Sequence, residues 1–314
     1  MKKVLIAAVL LVSGLVVKAQ QEYQLSQNMF NSAAINPAAA GIDNAVCAQL
    51  IGRHQWMGWG DGAPTTYVMN VNSNLSVFGS TDKIGVGVTM FYDEVGLERN
   101  MLGKISGNYQ LDLPNGKLSF GLDLGLLSKS FDSNGANPLQ TGDLTLSGLT
   151  GTINGSAFAT GFGAFYQSTD LYFGVSSSQL TEGTVDWQTA NPSLRRHYYV
   201  TGGYNSRPFG SIVLKPSIFI KSDGSVTTMD LAVLAEYKST LWVGASYRTG
   251  DAVIAMAGMN VPNMPLRAGV AYDFTTSDIR TTSSSGTAEL FLRYCHRIEV
   301  KTKKKIFWDP ILLQ

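Results

Sequence analysis

Strict alternation of apolar and polar residues is the main pattern of this chain, and it is clearest around residues 114–116. After Pro114-Asn-Gly116, apolar residues occupy every second position from Leu118 to Leu126, with Ser, Gly and Asp between them. Residues 101–112 alternate in the same way. A period of two places one set of side chains on each face of a β-strand, and Asn-Gly suits a tight hairpin turn. The pattern predicts a β-hairpin with one apolar face.

The length of this hairpin indicates which kind of sheet contains it. Each arm has about ten alternating residues, which at roughly 3.3 Å per residue and a tilt of about 40° rise about 25 Å. That is the height of the apolar band of an outer-membrane barrel, whereas strands of globular proteins usually have about five or six residues. One hairpin favours a barrel only mildly, so the interpretation depends on repetition.

The pattern recurs and predicts an all-β chain of about fourteen antiparallel strands, which we interpret as a transmembrane β-barrel. The two longest separating segments are the polar loops 130–156 and 179–194. An even number of strands places both ends of the barrel on one side, which is the periplasmic side in barrels with short turns there and long external loops. The expected strands are 45–54, 65–75, 83–92, 99–111, 117–128, 157–166, 171–178, 195–205, 211–221, 227–238, 241–248, 252–260, 266–274 and 287–297.

Alternation also assigns the two faces of the barrel. Aliphatic and aromatic residues form the outward face, and Tyr and Phe near the strand ends are typical of an aromatic girdle. The other face carries Gly, Thr, Ser and occasional charge, so we expect a polar interior that is not dense in charge. The charged residues assigned to it are Lys104, Asp123, Lys215, Arg267, Asp273, Glu289 and Arg293.

Residues 1–19 have the organisation of a secretory signal peptide. Lys2 and Lys3 precede the apolar run 4–17, and residues 17–19 form a small-residue cleavage context. A transmembrane anchor is the alternative, but this run is too short for one. We expect the secreted chain in a Gram-negative outer membrane, in contact with its lipids, because a closed barrel pairs every backbone polar group within lipid.

The composition argues against several functional classes. The 24 Lys and Arg residues nearly balance the 23 Asp and Glu residues, so no charge bias indicates nucleic acid. His54, His197 and His296 are too far apart for a short metal-binding motif. No Gly-x-Ser-x-Gly nucleophile motif occurs. We therefore expect neither enzymatic activity nor a cofactor.

Two segments flank the predicted barrel, which spans 44–297. Residues 20–43 do not alternate and end in a turn at Asn36-Pro37. They form either a flexible leader or a plug in the barrel mouth or lumen, and their aromatic, Asn and small residues favour the plug. Residues 298–314 form a basic tail, which is either a solvated end or a periplasmic docking segment. Its candidate docking residues are Lys303, Lys304, Lys305, Phe307 and Trp308.

The two cysteines lie at opposite ends of the predicted barrel sequence. Cys47 is near the start of the first strand and Cys295 near the end of the last, and alternation directs both into the lumen. Closing a barrel pairs the first strand with the last, and the periplasm is oxidising. We therefore hypothesise a disulfide across this seam, the alternative being two free, packed thiols.

Three motifs in the first hundred residues resemble those of the PorP/SprF family of Bacteroidetes. The first is residues 26–31 (SQNMFN) with 35–38 (INPA), the second is residues 53–56 (RHQW) with 62–67 (GAPTTY), and the third is the glycine-containing strand and acidic turn of 85–96. The candidate contact residues in these motifs are Asn31, Asn36, Pro37, Arg53, Gln55, Trp56, Gly62, Ala63, Pro64 and Tyr67.

This resemblance implies an outer-membrane barrel of the type IX secretion and gliding apparatus. Such a protein is either a core component that contacts periplasmic lipoprotein or peptidoglycan-binding subunits, or a partner that holds one adhesin through its C-terminal domain. External loops could hold cargo, and periplasmic N- and C-terminal segments could hold machinery. Arg53, Gln55, Trp56 and Tyr67 would either fix the plug to the wall, which we favour, or contact cargo. The competing function is a plugged, fourteen-stranded transporter of hydrophobic small molecules.

Overall fold

The computed structural model describes residues 22–77, 80–135, 151–187, 191–277 and 286–297. Within these ranges each strand pairs antiparallel with the next, and the first pairs with the last, so the sheet closes into a fourteen-stranded barrel. This confirms the predicted all-β fold. The strands are β1 Ala45–His54, β2 Thr65–Val77, β3 Ser80–Val95, β4 Glu98–Leu113, β5 Gly116–Asp132, β6 Thr152–Gln167, β7 Leu171–Ser178, β8 His197–Tyr204, β9 Ile212–Ser222, β10 Thr227–Tyr237, β11 Leu241–Arg248, β12 Ala252–Asn260, β13 Leu266–Thr275 and β14 Thr287–Arg297.

Several strands are longer than the alternation predicted. The ends of the expected loop 130–156 are paired strand, because β5 continues to Asp132, which is the register partner of Thr152. Polar residues do not end a ladder, since its hydrogen bonds use only backbone N–H and C=O groups. Conversely, β8 begins at His197 rather than at residue 195. The proposed signal peptide and basic tail lie outside the described residues.

The outer surface of the barrel is apolar over the length of the strands. Ile105, Leu122, Leu124 and Phe158 are each more than 60% exposed, which is favourable for a surface in contact with lipid. Among the described residues, no helix has the length and apolar character needed to cross a bilayer. Because side chains alternate along each strand, the residues between these apolar ones face the lumen, and many of them are polar.

Residues 22–44, which we call the luminal segment, lie inside the barrel. The segment contains three short helical turns, Asn28–Phe30, Ser32–Ile35 and Pro37–Ala39. It begins near the strand ends joined by loops 55–64 and 179–196, which we call the outer ends, where Glu22 accepts a hydrogen bond from the Tyr199 hydroxyl. It ends at the opposite strand ends, where β1 starts; we call these the periplasmic ends, after the side on which short turns are expected. Residues 22–44 are therefore enclosed by the wall, and most of them are buried.

The first and last strands meet in a continuous ladder. Cys47 and Cys295 are register partners in this ladder, and the structure joins them as a disulfide across a sequence separation of 248 residues. The bond lies near the periplasmic ends of β1 and β14, immediately after the luminal segment. The disulfide therefore lies where the luminal segment continues into β1, and it joins β1 to β14.

We predict that the purified protein contains this disulfide. Because the periplasm is oxidising and the two cysteines face each other, alkylation under denaturing conditions without reductant should add no mass. After reduction, the same treatment should add two alkyl groups. Two alkyl groups on the unreduced protein would show that the thiols are free, and a Cys47→Ser variant, with one thiol, calibrates the measurement.

Candidate functional site

Five charged side chains from neighbouring strands form one buried cluster in the outer half of the lumen, which we call the charge cluster. Its members are Arg53 of β1, Asp230 of β10, Arg248 of β11, Asp273 of β13 and Glu289 of β14. The Arg53 guanidinium lies 2.9 Å from Asp273 and 3.4 Å from Glu289. The Arg248 guanidinium lies 3.0 Å from both Asp230 and Asp273. The two arginines therefore share Asp273.

The charge cluster binds the luminal segment largely through backbone groups of that segment. Glu289 accepts hydrogen bonds from the backbone N–H of Ser26 (2.7 Å) and of Gln27 (2.8 Å). The Ser26 hydroxyl donates to Asp273 over 2.6 Å, and Arg248 donates to the carbonyl of Leu25 over 3.1 Å. Buried carboxylates are costly unless they are paired and hydrogen-bonded, so the segment supplies donors that the cluster needs.

This cluster corrects the expectation of an interior that is not dense in charge. Alternation correctly placed Asp273 and Glu289 inward but did not single out Asp230 or Arg248. The pairing of strands would have found them, because Arg53 is opposite Glu289 in one strand pair and Asp230 is opposite Arg248 in another. Such oppositely charged pairs are visible in the sequence only once the register is known.

Below the charge cluster, the luminal segment packs through aromatic contacts. The Phe30 ring lies 5.1 Å from the Trp242 ring and 5.0 Å from the Phe291 ring. The Arg267 guanidinium lies 4.4 Å from the centre of the Phe30 ring, a cation–π arrangement. Further up, Tyr23 stacks on Phe91 at 3.9 Å. Both aromatic residues of the segment are therefore packed against the wall.

The Asn36-Pro37 turn forms a second anchor near the periplasmic ends. The Asn36 amide donates to the carbonyls of Ala164 (3.0 Å) and Val175 (3.2 Å), and its Oδ1 accepts from the Ala38 N–H. From the wall, Asn108 donates to the carbonyl of Pro37 over 2.9 Å. The anchor therefore satisfies backbone groups on both the segment and the wall.

Glycines of the wall make room for this second anchor. A Cβ at Gly121 would lie 2.6 Å from backbone atoms of Pro37 and Ala38, and one at Gly85 would lie 2.0 Å from the carbonyl oxygen of Ala40. Real Cβ atoms do not approach backbone so closely, so only glycine allows the segment to touch the wall here.

The structure separates the residues that the motifs singled out. Arg53, Asn31, Asn36 and Pro37 are buried at or within the luminal segment. The others lie in or beside the outer loop 55–64. Within that loop, the Gln55 N–H donates to the Pro64 carbonyl, Trp59 N–H to the Trp56 carbonyl, and Ala63 N–H to the Gly60 carbonyl, while Gly96 N–H donates to Gly62.

Tyr67 does not fit the favoured role of fixing the plug to the wall. The residue is 52% exposed on the outer surface, and its ring lies 6.4 Å from the Tyr92 ring. Position 67 is one residue after Thr66, which faces inward, so the period of two directs Tyr67 outward. The residue belongs to the aromatic band at the outer ends of the strands.

Two separate cavities lie above and below the packed middle of the lumen. The larger, of about 780 Å³, is at the outer ends; we call it the outer vestibule, and Gln55, Trp56 and Pro64 are among its lining residues. The smaller, of about 270 Å³, is near the periplasmic ends, and the two share no lining residue. From the connection between β7 and β8, Val185 and Leu194 are buried in the same apolar core as Phe30. Across the described ranges, no group of three His, Cys, Asp or Glu side chains is arranged to hold a metal ion.

Gly121→Ala should destabilise the protein by about 1–3 kcal/mol, because the added methyl overpacks against the backbone of the luminal segment. Urea unfolding in detergent, followed by tryptophan fluorescence, measures the change. Gly103→Ala on β4 is the matched control, since nothing lies within 4 Å of its Cβ. An equal effect of the two substitutions would contradict the close contact.

Arg53→Met should cost about 3–5 kcal/mol, because it leaves the buried Glu289 carboxylate without its cation and Asp273 with Arg248 alone. In protein that remains folded, it should also make the luminal segment accessible to chymotrypsin at Tyr23 and Phe30. Arg99→Met is the control: Arg99 pairs with Glu94 on an exposed surface, and exposed pairs contribute little. Chymotrypsin resistance equal to that of the Arg99 variant would show that the charge cluster does not hold the segment.

Solved structures with a similar fold are outer-membrane barrels. A FadL homologue from Pseudomonas aeruginosa matches with a TM-score of 0.50 at 12% identity, covering 85% of this chain and 94% of that one. Omp33 of Acinetobacter baumannii matches with a TM-score of 0.45 at 10% identity, covering 81% and 99%. The toluene transporter TodX of P. putida gives 0.48 at 12% identity, covering 86% and 94%. At these identities the likeness concerns the fold alone.

No curated protein sequence matches the chain. A family model does: the family described as "Type IX secretion system membrane protein PorP/SprF" matches residues 17–294. That range includes the luminal segment and nearly all of the barrel, and together with the fold it places the protein in the outer membrane. The chain therefore belongs to the PorP/SprF family of type IX secretion system membrane proteins.

Proposed function

We propose that this protein is a non-enzymatic scaffold of the type IX secretion machinery, which supports secretion or surface attachment of cargo proteins and connects the outer membrane to periplasmic subunits. The observation that carries the proposal is the family match over residues 17–294 on a barrel whose lumen is occupied by its own N-terminal segment. A filled barrel suits a fixed platform, because its surfaces and loops remain available while its interior is used for stability.

The packing of the luminal segment favours a scaffold over a transporter of hydrophobic small molecules. The segment is held at two levels, by the charge cluster and by the Asn36-Pro37 anchor. Opening a path would require breaking several charge-assisted hydrogen bonds, which are about twice as strong as neutral ones. An apolar solute would also have to pass Arg53, Arg248 and their carboxylates, and nothing in an apolar solute could replace the donors that those carboxylates lose.

Two kinds of partner are consistent with the proposed role. A core component would contact periplasmic lipoprotein or peptidoglycan-binding subunits, and an adhesin-specific component would hold the C-terminal domain of one secreted protein at the outer ends. For the periplasmic contact we propose the basic tail as the docking segment. A cationic stretch, residues 303–305, next to the aromatic pair Phe307 and Trp308, combines electrostatic attraction with anchors that can be buried.

Affinity purification from native membranes, combined with deletion of the gene, tests the proposed function. Deletion should reduce the amount of type IX cargo outside the cell, and full-length protein expressed in trans should restore it. Co-purified periplasmic ring subunits would identify a core component, and a single giant surface protein would identify an adhesin partner. Unchanged secretion and surface display, with neither class of partner recovered, would refute the proposal.

Removing residues 301–314 should leave the barrel folded and reduce recovery of periplasmic partners, because β14 ends at Arg297. Heat-modifiable mobility on gels verifies the fold of the variant. The matched control replaces Lys303, Lys304 and Lys305 by glutamine and keeps Phe307 and Trp308, which separates the contribution of charge from that of the aromatic anchors. Recovery equal to the full-length protein would exclude tail docking.

Solute flux into liposomes distinguishes the scaffold from the competing transporter. The pure protein should give no uptake of a labelled fatty acid or aromatic hydrocarbon above protein-free vesicles. Uptake that the Gly121→Ala variant increases would indicate a transport path normally limited by the luminal segment, and would favour the transporter.

A further inference from the structure

The outer vestibule is a blind cup that opens toward the outer ends of the strands and has the luminal segment as its floor. Glu22, Tyr23 and Gln24 form this floor, and residues of five strands (β3, β4, β5, β8 and β10) and of the connections between strands form the walls. Its volume, about 780 Å³, falls in the range of sites that enclose a ligand. None of the contacts that hold the luminal segment requires such a space.

Two buried hydrogen-bond acceptors in the vestibule wall have no partner. The His197 Nδ1 lies 2.9 Å from the carbonyl of Arg195, so in the neutral ring Nδ1 carries the hydrogen and Nε2 is an acceptor. That Nε2 atom and the Oε1 atom of Gln179 are buried without a hydrogen-bond partner, and both residues are more than 90% buried. Gln179 directly follows Ser178, the register partner of His197, and both residues line the vestibule.

A carboxylate on the β3 wall of the same cavity also has spare acceptor capacity. Asp93 accepts one hydrogen bond, from the Thr66 hydroxyl at 2.6 Å, and it takes part in none of the ion pairs found among the described residues. Its register partner is Asn100, whose Oδ1 atom is likewise buried without a partner. Unpaired buried acceptors of this kind are expensive unless a ligand or water supplies donors.

The charges of the whole lining point the same way. Four carboxylates, those of Glu22, Asp93, Glu98 and Asp251, face the cavity with two cations, Lys129 and Arg195. Lys129 is already paired with Glu98 at 2.5 Å, and Asp251 lies 3.3 Å from Arg248 of the charge cluster. With Arg248 counted, the four carboxylates still outnumber the three cations, so the lining complements a group that carries positive charge and several N–H donors.

We propose that the outer vestibule binds a lysine or arginine side chain presented by an extended polypeptide from outside the cell. Asp93 pairs with the cation, while Gln179 and His197 accept further N–H donors. Phe91, Leu102 and Leu127 give the neighbouring residues of the peptide an apolar wall. The cavity is much larger than one side chain, which favours a polypeptide over a free amine. That the occupant is a protein segment rests on the proposed role in secretion.

Direct binding of fluorescent peptides to the full-length protein in lipid nanodiscs tests this inference. Three ten-residue Ser/Thr peptides differ only in their central residue, which is lysine, glutamine or glutamate. The lysine peptide should bind at least about tenfold more tightly than the other two, since an unscreened charge pair is lost in each. Equal binding of all three, or binding of none, would overturn the proposal.

Asp93→Asn keeps the shape of the side chain and should weaken binding of the lysine peptide about tenfold or more. Glu182→Gln is the matched control, because it removes one negative charge from an exposed position of loop 179–196 that does not line the vestibule. Equal weakening by both variants would show that only the net charge of the protein matters, and would contradict a specific role of Asp93. Unfolding midpoints measured in parallel show that each variant is folded.

Competition with putrescine distinguishes a polypeptide site from a site for free polyamines. The diamine should displace the lysine peptide only weakly, because it cannot use the apolar wall, and equally strong displacement would overturn the assignment to a polypeptide. These measurements use pure protein, so they stand apart from the secretion assay. If the pure protein binds the lysine peptide but deletion of its gene leaves secretion intact, the proposed function is refuted. The inference that the vestibule binds a cationic side chain would still stand.

Discussion

Burial of charge inside a closed barrel is the constraint on which the rest of this structure depends. Arg53 and Arg248 are almost completely enclosed, and so are the carboxylates of Asp230, Asp273 and Glu289. Desolvating such groups is tolerated only when ion pairs and hydrogen bonds compensate for the lost water. Within the wall the compensation is incomplete, and the backbone N–H groups of Ser26 and Gln27 add to it. The wall and the luminal segment are therefore one folding unit, although the wall supplies all the strands.

The same reasoning explains what the sequence could predict. Alternation depends on neighbouring positions only, so it predicted about fourteen strands, the face of the residues it assigned and the inward direction of Cys47. It overestimated the loop at 130–156, because polar residues at the ends of β5 and β6 keep the backbone ladder intact. Charge clustering depends on register and on closure of the sheet, which bring Arg53 and Glu289 together across more than two hundred residues. No local pattern contains that information.

The structure explains why the motif positions require particular residues, which the sequence alone does not show. Asn36 has to place its amide between two carbonyls of the wall while capping a helical turn, and Pro37 starts that turn with a suitable φ angle. Gly121 and Gly85, from separate strands, admit the same turn. Tyr67 differs from Arg53 in this respect. Both belong to the second motif, but the period of two places the Tyr67 ring on the outer surface of the barrel. A motif therefore identifies a constrained position without indicating which side of the wall it occupies.

The direction of the luminal segment determines what each end of the barrel can do. The luminal segment begins with Glu22 at the outer ends, passes the charge cluster and the Asn36-Pro37 anchor, and continues into β1, where the Cys47–Cys295 bond joins the seam. Tension applied to the wall at the periplasmic end would thus meet covalent and packed structure and would not extract the segment. At the outer end, by contrast, Gln179 and His197 beside the outer vestibule keep buried acceptors without partners. The fixed lower half suits attachment to machinery, and the unsatisfied upper half suits recognition.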